Sequence, residues 1–322
     1  MSVLIFGGAG FLGSHLVRKL VDEGEDVVAL DVGMPDPPMP PLVDVRDRFT
    51  FETCQTEQLS EVLRAMRNHK AESVINLVTS FAPAFELNPQ RGLRINLDTQ
   101  TNILEAARIL GLGRVVCASS TYVYGAGRPE LVDETSLVRP DTLYGACKAM
   151  NEYLARHYHE NFGVDSLSVR FSLIMGWGRG QRKVLGRRGP WIVELFENPL
   201  KGLPVRLPYA AAKTSVVYVK DMVGAVLAAL RVKDPVHRVF NIVGEPICKA
   251  DAAKIVKRIL PDAQIEVDLD GDFGDDRPSD HATIPAWEEN LMVRELGYRI
   301  RYSIEDAVAD YIKMAQEGRF SW

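Results

Sequence analysis

Tyr144 and Lys148 stand four residues apart in the stretch YGACK, which runs on into NEYLARHYHENF. In a helical stretch that spacing puts both side chains on one face, one turn apart. A tyrosine ordinarily ionises near pKa ~10, too high for a base at neutral pH. A neighbouring ammonium favours the phenolate and draws that value toward the working range. Upstream, ASSTYVYG closes an apolar strand, so the hydroxyls of Ser119 and Ser120 fall at a strand end that can reach a substrate oxygen. Hydroxyl, phenol and ammonium together suit proton exchange with a substrate alcohol or carbonyl, while a hydride passes to or from a nicotinamide. Any one of these residues alone reads as surface or packing; their joint order carries the chemistry.

Such a reaction needs a dinucleotide, and GGAGFLG, Gly7 to Gly13, offers a turn for one between a strand and a helix. From Gly8 it spells G-x-G-x-x-G and from Gly7 G-x-x-G-x-x-G; either register predicts a turn that cradles phosphates at a helix N-terminus. The second strand ends in Asp31, eighteen residues beyond Gly13. A carboxylate there accepts hydrogen bonds from the adenosine ribose and repels a 2′-phosphate. No arginine follows it in Val32, Gly33 and Met34, so NAD is expected rather than NADP.

Around these motifs SVLIF, DVVAL, ESVINLV, GRVVCAS and SLSVRF read as buried parallel strands, alternating with amphipathic helical stretches such as FLGSHLVRKLVDEG. The pattern predicts an α/β fold, a doubly wound parallel Rossmann sheet with a smaller C-terminal substrate lobe. The expected division is residues 1–172 and 214–244 for the NAD-binding domain, and 173–213 and 245–322 for the lobe. The proline-rich MPDPPMPPL reads as a stiff extended loop.

The 322 residues carry a net charge of −5, which gives no reason to expect nucleic acid or an anionic membrane as partner. No apolar run approaches the ~20 residues of a membrane span. A strand directly after Met1 leaves no room for a secretory leader, so a cytoplasmic location is expected. Cys54, Cys117, Cys147 and Cys248 lack C-x-x-C spacing and read as buried thiols; no metal is expected.

GGAGFLG, RINLDTQTNILEAA, SSTYVYG, YGACK, SVVYVKD and RPSD with RELGY together resemble the extended short-chain dehydrogenase/reductase superfamily, the NAD-dependent epimerase/dehydratase type, over nearly the whole chain. The resemblance implies Ser120, Tyr144 and Lys148 as catalytic residues, with Ser119 the runner-up for the serine. It implies Gly7, Gly10, Phe11, Leu12, Gly13, Asp31 and Asn96 around the cofactor, with Tyr144 and Lys148. It also implies a homodimer joined through the helices near 89–110 and 143–162. Several departures narrow the reaction. Thr121 and Tyr122 occupy places where family dehydratases carry acidic residues, which argues against dehydration. Cys54 stands where an adenine-contacting aspartate is usual, Leu173 where nucleotide-sugar enzymes show an asparagine, and Thr214 where an arginine is usual. Arg277 and Asp280 in RPSD, by contrast, match positions that hold a nucleotide diphosphate and ribose.

The segment GRGQRKVLGRRG sets Arg179, Arg182, Lys183, Arg187 and Arg188 among glycines where this family builds its substrate lobe. It reads either as a flap closing over a carboxylate or phosphate or as a solvated loop. Trp177 and Trp191 on either side read as core rather than as a stacking platform. The candidate substrate contacts are Ser119, Thr121, Tyr122, Arg179, Arg187 and Arg277. The expected function is an NAD-dependent oxidoreductase interconverting a secondary alcohol and a ketone on a polar, anionic or sugar-derived small molecule. The alternative is a nucleotide-sugar 4-epimerase using tightly bound NAD. A cofactor-binding regulator without catalysis is the third reading, opposed by the intact Ser120, Tyr144 and Lys148.

Overall fold

The structure is a computed structural model that describes residues 2–81, 85, 87–125, 132–179, 191–269 and 290–322. Arg182, Lys183, Arg187, Arg188, Arg277 and Asp280 lie outside the described residues.

Strand β1 (Ser2–Phe6) alternates Val3 and Ile5 with Leu4 and Phe6, and both sets are buried because helices cover both faces of its sheet. On one side Val3 and Ile5 meet Leu12, Leu16 and Leu20 of α1 (Phe11–Asp22) and the apolar face of α6 (Val219–Arg231). On the other, Leu4 and Phe6 meet α2 (Leu59–Asn68), α3 (Pro89–Leu110) and α4 (Leu143–Phe162) through Val62, Ile103 and Ala155. The remaining strands are β2 (Asp26–Asp31), β3 (Thr50–Thr53), β4 (Ser73–Asn76), β5 (Val115–Ser120), β6 (Ser166–Phe171) and β10 (Val239–Ile242). They give a seven-stranded sheet in the order β3-β2-β1-β4-β5-β6-β10, with every pairing parallel. The order reverses between β1 and β4, and in such sheets ligands bind at that crevice, beyond the carboxyl ends of the strands. The glycine turn follows β1 and the serine pair ends β5, so both lie along that edge.

β7 (Leu173–Met175) leaves the main sheet after Ser172 and pairs with β9 (Lys213–Tyr218), which pairs antiparallel with β11 (Pro246–Cys248). The expected strand at TSVVYV is therefore present but pairs outside the main sheet, although the sequence grouped 214–244 with it; α6 and β10 of that segment do join it. β8 (Val205–Leu207) and β12 (Ile265–Val267) pair in parallel. α5 (Trp191–Leu200), α7 (Lys249–Ile259), the short α8 (Leu291–Arg294) and α9 (Ile304–Glu317) complete the smaller lobe. Trp177 and Trp191 pack against the main apolar cluster.

Candidate active site

Backbone geometry shapes the nucleotide turn. Gly7 adopts φ +83°, a left-handed conformation that favours glycine, and its N–H donates to the Leu30 carbonyl at 2.7 Å. A Cβ on Gly13 would come within 2.1 Å of the Gly7 carbonyl oxygen, so strand and helix approach this closely only with glycine there. Gly10 is the N-cap of α1 and no side chain caps the helix start. The first-turn amides, at Phe11, Leu12 and Gly13, are donors aligned with a helix dipole, a site made for an anion. Asp31 ends β2, nearly buried, with Oδ1 accepting from the Val32 N–H at 2.9 Å. Cys54, at the neighbouring strand end, is buried, and burial pushes its thiol up to about 12.

The reacting groups gather where α4 crosses the end of β5. Thr142 caps α4 by accepting from the Gly145 N–H at 3.0 Å, which fixes the first turn and with it Tyr144. Tyr144 and Lys148 are both buried, as their spacing predicts. Lys148 Nζ donates to the Ala118 carbonyl at 2.9 Å and lies 5.7 Å from the Tyr144 ring centroid. Burial lowers the ammonium to about 8, with Cys117, Cys147 and Glu152 pulling it back up. Burial likewise dominates Tyr144 and pushes its phenol up to about 12. Hydrogen bonding from Ser120 and Thr79 and the charge of Arg179 oppose that rise, while Tyr122 adds to it. The lowering expected from Lys148 is thus corrected. Its ammonium is held on a strand carbonyl, and desolvation of the phenol outweighs what the surrounding charges return.

Ser120 is the serine brought to the phenol. Ser119, one of the expected substrate contacts, donates to Glu152 Oε1 at 2.5 Å and is buried. Thr121 and Tyr122 open the 3₁₀ turn after β5, and the Tyr122 ring stands edge-on to Tyr144 at 5.4 Å. Asn96 does not turn its amide toward the glycine turn. Its Nδ2 donates to the Ser80 and Gly92 carbonyls at 3.1 and 2.9 Å, and its Oδ1 accepts from Thr79 at 2.8 Å. Those bonds hold the loop after β4, whose Phe81 ring lies 6.0 Å from Tyr144. Asn96 thus ties α3 to the loop after β4. Leu173 and Thr214 lie on the paired strands β7 and β9 of the lobe.

Three residues escape motif reading. Thr79 favours ionisation of the phenol, yet nothing in NLVTSF marks it. Glu152 continues the Tyr144–Lys148 face by one more turn and binds Arg170 through two bonds of 2.8 and 2.7 Å; a carboxylate eight residues beyond the tyrosine on a buried face is the available signal. Arg170 also donates to Tyr124 Oη at 2.7 Å. Arg179, the one loop arginine among the described residues, sets its guanidinium 5.5 Å from the Phe11 ring centroid, beside the glycine turn.

A profile of the NAD-dependent epimerase/dehydratase family matches residues 3–243. The chain belongs to that family. Among curated relatives, the CapI protein of Staphylococcus aureus is 29% identical over 189 residues, and the chain spans only about half the length of that relative, 56% of each. D-erythronate dehydrogenase of Cupriavidus necator is 28% identical over 285 residues, 82% of this chain and 83% of that one. Among solved structures, UDP-glucose 4-epimerase of Thermotoga maritima superposes with a TM-score of 0.85 at 22% identity, over 99% of each chain, which shows the fold. NAD is the cofactor of the epimerase/dehydratase family, and the residues present fit it. The uncapped first turn of α1 offers amides to a pyrophosphate, the missing Cβ of Gly13 keeps the turn close, and Asp31 stands at the strand end suited to a ribose.

Thr79 Oγ1 donates to Asn96 Oδ1 at 2.8 Å and lies close enough to the phenol to favour its ionisation. Thr79→Val is expected to lower kcat about tenfold for any alcohol the protein oxidises, with KM little changed, because one hydrogen bond to the reacting oxygen is lost. Thr79→Ser is expected to restore it; equal rates for valine and wild type contradict the assignment.

Lys148 makes a second test. Its folded value near 8 lies below its ordinary 10.5, so the folded state binds fewer protons through that window. Stability therefore rises with pH from about 8 to 10.5, and the cost of burying the ammonium is fully present below it. Denaturant unfolding should show Lys148→Met more stable than wild type at pH 7, with the gap closing as pH climbs. A gap that does not change with pH argues against a buried, strained ammonium.

Proposed function

We propose that the chain is an NAD-dependent oxidoreductase that interconverts a secondary alcohol and a ketone on a small, polar molecule, anionic or sugar-derived. The observation that carries this reading is the buried phenol of Tyr144, one turn from the buried Lys148, with the Ser120 hydroxyl favouring its ionisation. In the reductive direction the Tyr144 phenol gives its proton to the carbonyl oxygen as hydride arrives, and in the oxidative direction its phenolate takes that proton from the substrate hydroxyl, while Ser120 holds the same oxygen in line. Ser120 keeps its proton for this task, since its Oγ accepts from the Tyr122 N–H at 3.3 Å. Lys148 anchors the helix face through the Ala118 carbonyl and presents its remaining N–H donors beside the phenol. The first turn of α1 and Asp31 would hold NAD, which supplies the hydride acceptor when bound. Tyr122, Phe81 and Phe11 supply rings that keep water from the reacting carbon.

The second reading, a nucleotide-sugar 4-epimerase, is favoured by the fold likeness to the Thermotoga maritima epimerase. That reaction returns the hydride to the opposite face, with no net change in NAD. The expected result with NAD and a panel of sugar acids, hydroxy acids and nucleotide sugars is steady accumulation of NADH with one of the acids. Tyr144→Phe is expected to reduce the rate roughly 10²–10⁴-fold, the usual share of a general acid–base. An epimer formed without NADH sinks the dehydrogenase reading.

The proposed working form is a cytoplasmic homodimer. Ala146, Met150, Tyr153 and His157 form a stripe along α4, on which Met150 and Tyr153 are exposed; Leu93 is exposed on α3. Apolar side chains of this kind are suited to a partner helix pair. Light scattering at micromolar concentration is expected to give twice the chain mass, and the monomer mass after Met150→Lys with Tyr153→Glu. A monomeric wild type removes this part of the proposal.

A further inference from the structure

Among the described residues, the other partly or fully buried arginines come with carboxylates. Arg170 holds Glu152, Arg114 holds Asp165 at 2.7 Å, and Arg18 holds Asp22 and Asp44 at 2.7 and 2.6 Å. Arg179 breaks the pattern. It is partly buried, and among the described residues no aspartate or glutamate pairs with it. Its neighbours are the Phe11 ring and the phenols of Tyr122, Tyr144 and Tyr311. Burial depresses its guanidinium to about 10, and the three phenols oppose that only weakly. A desolvated cation without a counter-ion is costly. The backbone nevertheless leads it there: Gly178 at φ +94° turns the chain, and the Arg179 N–H donates to the Gly176 carbonyl at 3.4 Å.

We propose that Arg179 is the anchor for a carboxylate on the substrate, which makes the substrate class short hydroxy acids whose carboxylate lies within a few carbons of the reacting carbinol. The inference rests on the hydride-transfer reading and sharpens it. Position decides the class. Arg179 lies near enough to act electrostatically on the phenol that handles the proton. In a nucleotide sugar the diphosphate lies across the sugar ring from the carbon that reacts there, too far to meet the same guanidinium. A hydroxy acid places its charge next to the reacting carbon. A planar guanidinium also matches a carboxylate through two parallel bonds, which would fix the face that the carbinol presents. The rival source of negative charge is the cofactor pyrophosphate, since Phe11 belongs to the first turn of α1.

The test measures binding without turnover, by calorimetry on the NADH-loaded protein. The probes are a series of short sugar acids, D-erythronate among them, and the alditols of the same carbon count. The expected result is one acid bound at least about tenfold more tightly than its alditol by wild type, the range of a charge-assisted hydrogen bond. Arg179→Gln should bring that ratio close to one and leave NADH affinity within about twofold, and Arg179→Lys should keep part of the preference. The inference is overturned by a wild type that prefers no acid, by a preference that survives Arg179→Gln, or by an equal loss of NADH affinity, which would assign Arg179 to the pyrophosphate. Since no turnover is involved, a failure here stands apart from a failure of Tyr144→Phe to slow the reaction.

Discussion

The burial of one face of α4 against the end of β5 is the constraint on which the rest of the site depends. Tyr144, Lys148 and Glu152 follow one another at single-turn intervals, and each is tied down differently. Glu152 is locked by Arg170 and Ser119, Lys148 by the Ala118 carbonyl, and Tyr144 by the capped first turn with Ser120 and Thr79 beside it. A helix held at three successive turns cannot rotate or slide without leaving a buried charge unpaired, a loss of about 3–5 kcal/mol for a broken buried pair. The phenol therefore keeps its place relative to the glycine turn, as hydride chemistry demands of its reacting groups.

That same burial sets the electrostatics. Leaving water costs both the phenol and the ammonium, so Tyr144 rises away from neutrality while Lys148 falls toward it. The protein offsets part of this with hydroxyls and with a single guanidinium from the smaller lobe. Arg179 thus has two relations at once: its charge favours the phenolate, and among the described residues no carboxylate pairs with it. Its guanidinium packs over the Phe11 ring in the first turn of α1, beside the nucleotide turn.

Much of this was legible in the sequence, for physical reasons. The glycine turn is read because only glycine tolerates the contact at Gly13, so the chain has no alternative to display. The tyrosine and lysine are read because helical periodicity converts four residues into one face. The strand bursts predict β1, β2, β4, β5 and β6, but β3, Thr50–Thr53, is short and half exposed, with no apolar burst to announce it. Thr79 was illegible because a loop hydroxyl has no period, and its partner Tyr144 is 65 residues away in sequence. The choice between Ser119 and Ser120 depends on which way the last residues of a strand turn, a tertiary matter. Asn96 was visible as a family position, yet its hydrogen bonds run to the loop after β4. β9 has the same apolar text as a main-sheet strand; its pairing with β7 and β11 is decided by where β7 leaves the sheet.

The central claim is that burial holds the Tyr144 phenol as a protonated group whose ionisation is set by Ser120, Thr79 and Arg179. Ultraviolet difference titration of wild type against Tyr144→Phe, read at the tyrosinate band, isolates that single phenol from the nine other tyrosines. The expected result is a difference signal that appears only toward pH 12 in the protein without cofactor. A difference curve with its midpoint at the ordinary ~10 or below contradicts the account.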